Sequence, residues 1–272
     1  MRIWGKVLGA FFGFLLGNIF GALLGLWLGH RFDRGMGIQG AFRRAPSQQQ
    51  QAVFFHATFA VMGHIAKASG QVTEHEIRVA SNLMDRMRLS GEQRVRAQES
   101  FRQGKESGFP LRETLAEFRR ASLGQRDILR FFLEVQLQAA FADGRVEADE
   151  RAILQTIADE LGFSRIELGR ILAMAEAQMN FFHRQQQGGG QQQYRQEAPS
   201  ADRLKDSYQL LGVSESDSDQ DIKRAYRKEM SKHHPDKLAA KGLPPEMMEM
   251  AKEKTQEIQQ AWEWIREARG IR

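Results

Sequence analysis

The sequence predicts an all-α protein in three parts: a single N-terminal transmembrane helix, an all-helical middle domain and a C-terminal helical hairpin. Three observations carry this reading. Residues 7–28 run without a charge. Residues 52–182 place apolar side chains at spacings of three and four, with no sustained strand-like alternation. Beyond residue 204, two amphipathic stretches of matching length flank a loop that contains proline. The chain has no cysteine, which excludes disulfides, thiolate zinc sites and thiol nucleophiles. A net charge of +5 permits an anionic lipid, nucleic acid or acidic protein as partner and selects none of them.

A short segment, residues 1–6, leads into VLGAFFGFLLGNIFGALLGLWL (7–28). As a helix this run is about 33 Å long, enough to cross a bilayer core, and the span is expected over 7–29. A cleaved signal peptide would have a shorter apolar region followed by a small-x-small site. Here the flank is His30, Arg31, Phe32, Asp33 and Arg34, which reads as a stop. Arg2 and Lys6 precede the span, whereas Arg31, Arg34, Arg43 and Arg44 follow it. The more basic flank stays in the cytoplasm, which places the large C-terminal part there.

Gly5, Gly9, Gly13, Gly17, Gly21, Gly25 and Gly29 recur at every fourth position. Small residues at this spacing let two membrane helices approach closely. The row winds around the helix by about 40° per step, so only three or four consecutive glycines share a face. Gly9, Gly13, Gly17 and Gly21 are the expected seam of a homodimer, with Asn18 as a cross-helix hydrogen-bonding group. The plainer alternative is that membrane helices are rich in glycine generally.

Polar, low-complexity stretches then divide the chain. RRAPSQQQQ (43–51) lies in a linker expected over 30–51, and HRQQQGGGQQQYRQEAPS (183–200) marks a second over 184–203. Neither has the apolar content to bury a core, so both read as flexible tethers. The middle domain, 52–183, contains an internal repeat at an offset of 74. AKASGQVTEHEIRVASNLMDRMRLS (66–90) aligns with AFADGRVEADERAILQTIADELGFS (140–164). Ala68, Gly70, Val72, Glu76 and Ser90 match Ala142, Gly144, Val146, Glu150 and Ser164. Each copy reads as a helix, a glycine-containing turn and a second helix opening at Thr73 or Glu147. Val79, Leu83 and Met87 correspond to Ile153, Ile157 and Leu161, and two such antiparallel pairs pack into a compact helical domain.

The second turn gathers Asp143, Glu147, Asp149 and Glu150. A calcium loop would need oxygen ligands at fixed alternate positions around its glycine, but Asp143 directly precedes Gly144 and Arg145 follows it. The first copy offers only Ser69, Gln71 and Thr73. Acidic residues favoured in the first turn of a helix account better for the cluster, and no metal is expected.

The C-terminal domain spans 204–272. Tyr208, Leu211 and Val213 form a short apolar patch around Gly212. Ser218 followed by Asp221 reads as a helix start similar to a capping box. Ile222, Ala225, Tyr226 and Met230 share one face of the next helix, while Lys223, Arg224, Arg227, Lys228 and Lys232 occupy the rest. Pro235 ends it. Pro244 and Pro245 then open a long helix whose apolar side is Met247, Met248, Ala251, Ile258, Ala261, Trp262 and Ile265. The two helices should pack antiparallel with KHHPDK (232–237) in the loop at one tip. Adjacent His233 and His234 point in different directions and do not converge as metal ligands. No arrangement of nucleophile, base and orienting group suggests an enzyme. There is no phosphate loop, and the basic helix is not interleaved with exposed aromatics in the manner of a nucleic-acid reader.

YQLLGV, DIKRAYRKEMSKHHPDK and KTQEIQQAWEWI resemble the J domain of the DnaJ family, for which a His-Pro-Asp triplet after a basic helix is highly specific. The repeat with its ADGxV turn is similar to the TerB-like helical domain. With the anchor, the whole resembles membrane-anchored DnaJ-like co-chaperones of the bacterial inner membrane, with the N-terminus periplasmic. The resemblance implies that His234, Pro235 and Asp236 stimulate ATP hydrolysis by a DnaK-type chaperone, and that Lys223, Arg224, Arg227, Lys228 and Lys232 form the face that docks on it. No cofactor and no activity as an enzyme are implied. The zinc-binding and Gly/Phe-rich regions of full DnaJ proteins are absent. Glu229 and Thr255 stand where the family usually has an apolar residue and Phe, with Trp262 and Trp264 supplying bulk nearby.

This role has a physical logic. Exposed cations speed encounter with an acidic partner, Pro235 limits the loop's conformations before binding, and Asp236 offers a carboxylate for a charge-assisted hydrogen bond. The competing reading is a membrane scaffold or signalling adaptor whose middle domain binds a partner protein.

Overall fold

Ser47 opens the first helix by a reciprocal cap. Its backbone N–H donates to Gln50 Oε1 at 2.9 Å, and the Gln50 N–H donates to Ser47 Oγ at 3.2 Å. Helix α1, Gln48–Ala68, thus starts inside the stretch expected to be a tether. Glutamine is a good helix former, and Gln50 Nε2 is held by the Ala121 carbonyl at 3.0 Å. The computed structural model describes residues 47–68, 70, 74–141, 146–187 and 201–271. The transmembrane segment, with Gly9, Gly13, Gly17 and Gly21, lies outside them. Among the described residues no helix is long and apolar enough to cross a membrane, and none is in a strand.

From Ala57 to Gly63, α1 is buried on every side, as expected of a helix that is apolar all round. It is surrounded by α3 (Gly91–Gly104), α4 (Leu111–Ala121), α5 (Arg126–Ala140) and α6 (Ala148–Leu161). Glycines bring α1 and α3 together. A Cβ on Gly104 would stand 1.8 Å from the Ala60 carbonyl oxygen, and one on Gly63 2.1 Å from that of Phe101. No other residue fits either position without the helices separating. Phe54, Phe118 and Phe132 form the aromatic centre, with Phe54 edge-on to Phe118 at 5.4 Å.

The repeat appears as α1 leading to α2 (Glu74–Arg86) and α5 leading to α6. Leu83 and Met87 in one copy, and Ile157 and Leu161 in the other, are all in the core. Helices α3 and α4 intervene between the copies. Most of both turns, including Asp143 and Thr73, lies outside the described residues. Glu147 and Glu150 cap α6 reciprocally, the Glu147 N–H donating to Glu150 Oε2 at 2.9 Å. Helix α7, Arg165–Gln187, extends through the glutamines at 185–187, again inside an expected tether.

The C-terminal domain comprises α8 (Ala201–Leu210), α9 (Asp219–His233), α10 (Pro235–Ala240), a 3-10 turn at Pro245–Met247 and α11 (Met248–Arg269). Ser218 Oγ accepts from the Asp221 N–H at 3.2 Å, the expected start of α9. Arg269 at the end of α11 pairs with Asp219 at the start of α9, 3.1 Å apart, so the helices are antiparallel. Their core joins Tyr208, Leu211, Ile222, Ile258 and Ile265, and Tyr226 stacks on Trp262 at 5.0 Å. Leu238, Leu243, Met247, Met250 and Ala251 instead join the apolar cluster of the middle domain. The described residues of the middle and C-terminal domains consequently form one compact unit.

Candidate functional site

The site is the turn between α9 and α10. Helix α9 must end at His233, because the following residue precedes proline and is pushed to an extended conformation. His234 has φ −59° and ψ 123°. Pro235 occupies the first turn of α10, where its missing N–H has no cost. The Asp236 N–H donates to His234 Nδ1 at 3.2 Å, so the histidine side chain caps the helix that the proline starts. Lys237 Nζ donates to Ser231 Oγ at 2.5 Å across the turn. His234 and Asp236 are exposed and Pro235 is half-buried.

The two adjacent histidines have opposite environments. His233 is only 2% exposed. Its Nε2 lies 2.7 Å from Glu134 Oε2 of α5, and its Nδ1 lies 3.0 Å from the Glu229 carbonyl oxygen. Both ring nitrogens thus lie within hydrogen-bond distance of an oxygen, one on each domain.

Of the expected basic face, Lys223, Arg224, Arg227 and Lys228 are exposed on α9. Lys232 is half-buried and turned toward Glu229, 2.6 Å away. Burial pulls the Lys232 ammonium down from its ordinary value, against the opposing pull of Glu229.

Glu229 breaks the apolar pattern of its helix for a reason local periodicity does not contain. Its carboxylate, 6% exposed, meets Arg130 of α5 at 3.0 Å. Arg130 also pairs with Glu134 at 2.7 Å. Burial opposes the charge on Glu134, but the His233 imidazole, followed by Arg130 and Lys254, outweighs it and holds the carboxyl well below its ordinary value. Lys241, just past α10, pairs with Asp127, and Arg86 of α2 pairs with Glu253 of α11. Thr255 is buried and donates to the Lys252 carbonyl at 2.7 Å. Polar residues punctuating the otherwise apolar α5 (RDILRFFLEVQLQAA) were the available signal for this contact.

The arrangement contains no cluster of metal-ligating side chains among the described residues. It offers instead an exposed imidazole and carboxylate on a stiffened turn, beside a row of cations. Three family models match the chain in succession: the co-chaperone DjlA transmembrane domain over residues 1–44, the tellurite resistance protein TerB over 55–173, and the DnaJ domain over 206–270. The co-chaperone protein DjlA of Photobacterium profundum is 57% identical over 278 residues, covering 99% of this chain and all of that protein. Those of Vibrio cholerae and Yersinia pseudotuberculosis are 53% and 52% identical, with both chains covered in full.

The chain belongs to the DjlA family of co-chaperones. It has an N-terminal transmembrane domain, a TerB domain and a C-terminal J domain. A co-chaperone with a DnaJ domain implies a DnaK-type Hsp70 chaperone as its partner. No solved structure matches the chain.

Proposed function

We propose that this co-chaperone stimulates ATP hydrolysis by a DnaK-type chaperone through His234, Pro235 and Asp236. The observation that carries the reading is their placement: His234 and Asp236 are exposed on a proline-started turn beside the exposed Lys223, Arg224, Arg227 and Lys228. The cations steer the encounter with an acidic surface. The turn then makes contacts that favour the hydrolysis-competent state of the partner, since only a difference in contact between two states shifts their balance. Lys232 contributes at the edge of this face, tempered by its pairing with Glu229. The test is single-turnover ATP hydrolysis by a DnaK-type chaperone. His234→Gln is expected to fold normally and lose stimulation, and full stimulation by it would refute the assignment.

The matched transmembrane domain supports an anchor in the bacterial inner membrane, with the N-terminus periplasmic and the folded domains cytoplasmic, as the flanking arginines direct. Gly9, Gly13, Gly17 and Gly21 form the seam of a homodimer. Gly13→Leu and Gly17→Leu should weaken self-association in a membrane-reporter assay, and unchanged association would reject the seam. An adaptor role for the middle domain would have to use a face other than that of α5, which the J domain covers.

A further inference from the structure

One face of α5 carries Asp127, Arg130 and Glu134, spaced three and four residues apart and so within about 60° of one another around the helix. Their charges alternate, and each meets a partner on the J domain: Asp127 meets Lys241, Arg130 meets Glu229, and Glu134 meets the His233 imidazole. Two of these partners bracket the functional turn. His233 immediately precedes the segment 234–240, and Lys241 immediately follows it.

We infer that this charged stripe of the TerB domain is the part of the docking surface that fixes the chain's own J domain at its functional turn, beside the contact of α7 with α8 and α11, and that Asp127 and Glu134 are positioning residues that hold the His-Pro-Asp turn by its two ends for the Hsp70 partner to read. The inference rests on the function proposed above. Register is enforced by burial: the side chains of Arg130, Glu229 and His233 are 13%, 7% and 2% exposed, so a slipped pairing would leave a buried charge without its counter-ion. Leu238, Leu243, Met247 and Met250 join the apolar cluster of the TerB domain and add non-directional adhesion. Docking leaves His234, Asp236, Lys223, Arg224, Arg227 and Lys228 exposed. The contact therefore presents the chaperone-facing surface and does not mask it.

An undocked J domain keeps its triplet but samples many orientations relative to the anchored domain. Apparent affinity falls in proportion to the fraction of time spent in the competent one. The signature of a positioning role is thus a higher half-saturating concentration at an unchanged plateau of stimulation, whereas loss of Asp236 itself should remove the plateau.

The test uses the full-length protein in nanodiscs. With no native cysteine, spin labels can be placed at Ala152→Cys and Gln259→Cys, one on each domain. Asp127→Lys is expected to broaden the inter-domain distance distribution and to raise the half-saturating concentration for ATPase stimulation roughly tenfold, the effect of a competent fraction near one tenth. Adding Lys241→Asp to that chain should reverse both changes. Unchanged or increased stimulation in a chain shown to be undocked would overturn the inference. So would a distribution that stays narrow in Asp127→Lys/Glu134→Lys. If the protein without these substitutions gives no stimulation, the proposed function fails and the presenting role falls with it. That outcome is recognised separately, because the distances still report docking.

Discussion

His233 Nε2 and Glu134 Oε2 are 2.7 Å apart and 99 residues apart in the chain. Arg130 and Glu229 repeat the same sequence separation in the same buried cluster. Breaking one member of such a network strands the others without water. Glu134→Leu is expected to lower the unfolding free energy by about 3 kcal/mol, measured as a shift in urea midpoint. Glu134→Leu combined with His233→Leu should cost less than the sum of the single changes, because the second removes the buried polar ring that the first left without its hydrogen-bond partner. Additive losses would contradict the coupling.

The close crossing of α1 and α3 makes a contrast between two glycines. Gly104→Ala places a methyl group into the Ala60 carbonyl and should destabilise by about 2 kcal/mol. Gly169 on α7 has nothing within 4 Å of an added Cβ. Gly169→Ala should therefore stabilise by about 0.5 to 1 kcal/mol through lower unfolded-state entropy. Equal effects in thermal unfolding would contradict the packing described.

Much of this organisation was legible beforehand, and the rest was hidden for identifiable reasons. The spacing of Ile222, Tyr226 and Met230 marks α9, Ser218 marks its start and Pro235 its end, because caps and breakers act within a few residues. The glutamines at 48–51 and 185–187 looked like tethers because composition cannot tell a solvated helix turn from a coil. Helices α3 and α4 were hidden within the broad helical reading of the middle domain, since periodicity does not delimit each helix. Glu229 and Lys232 were ambiguous for a further reason. Their environment is set by Arg130, on another domain, and no local pattern records a partner 99 residues away.

Stability should fall with acid in two windows. Burial lowers the His64 imidazole below its ordinary 6.5, outweighing a hydrogen bond to the Gly104 backbone. A depressed histidine contributes stability above its unfolded value and loses it as pH falls, because the unfolded chain takes up the proton first. Glu134, held well below 4.5, contributes above that value and loses its contribution as pH drops toward its folded value. Urea midpoints measured across pH should decline below 6.5, and His64→Gln should flatten that first decline. A midpoint that rises there would contradict the assignment.

The exposed cations of α9 predict a salt-sensitive encounter. Replacing Arg227 and Lys228 by glutamine should raise the half-saturating concentration for chaperone stimulation several-fold at low salt and make it less dependent on ionic strength. Identical salt curves for the two proteins would show that this face does not meet the chaperone.

The most direct measurement is steady-state ATP turnover by a DnaK-type chaperone, titrated with the full-length co-chaperone and with its Asp236→Asn variant. The first is expected to accelerate turnover in proportion to its concentration and the second to leave it flat, with both equally folded by circular dichroism. Equal acceleration by both, or none by either, would contradict the proposed function.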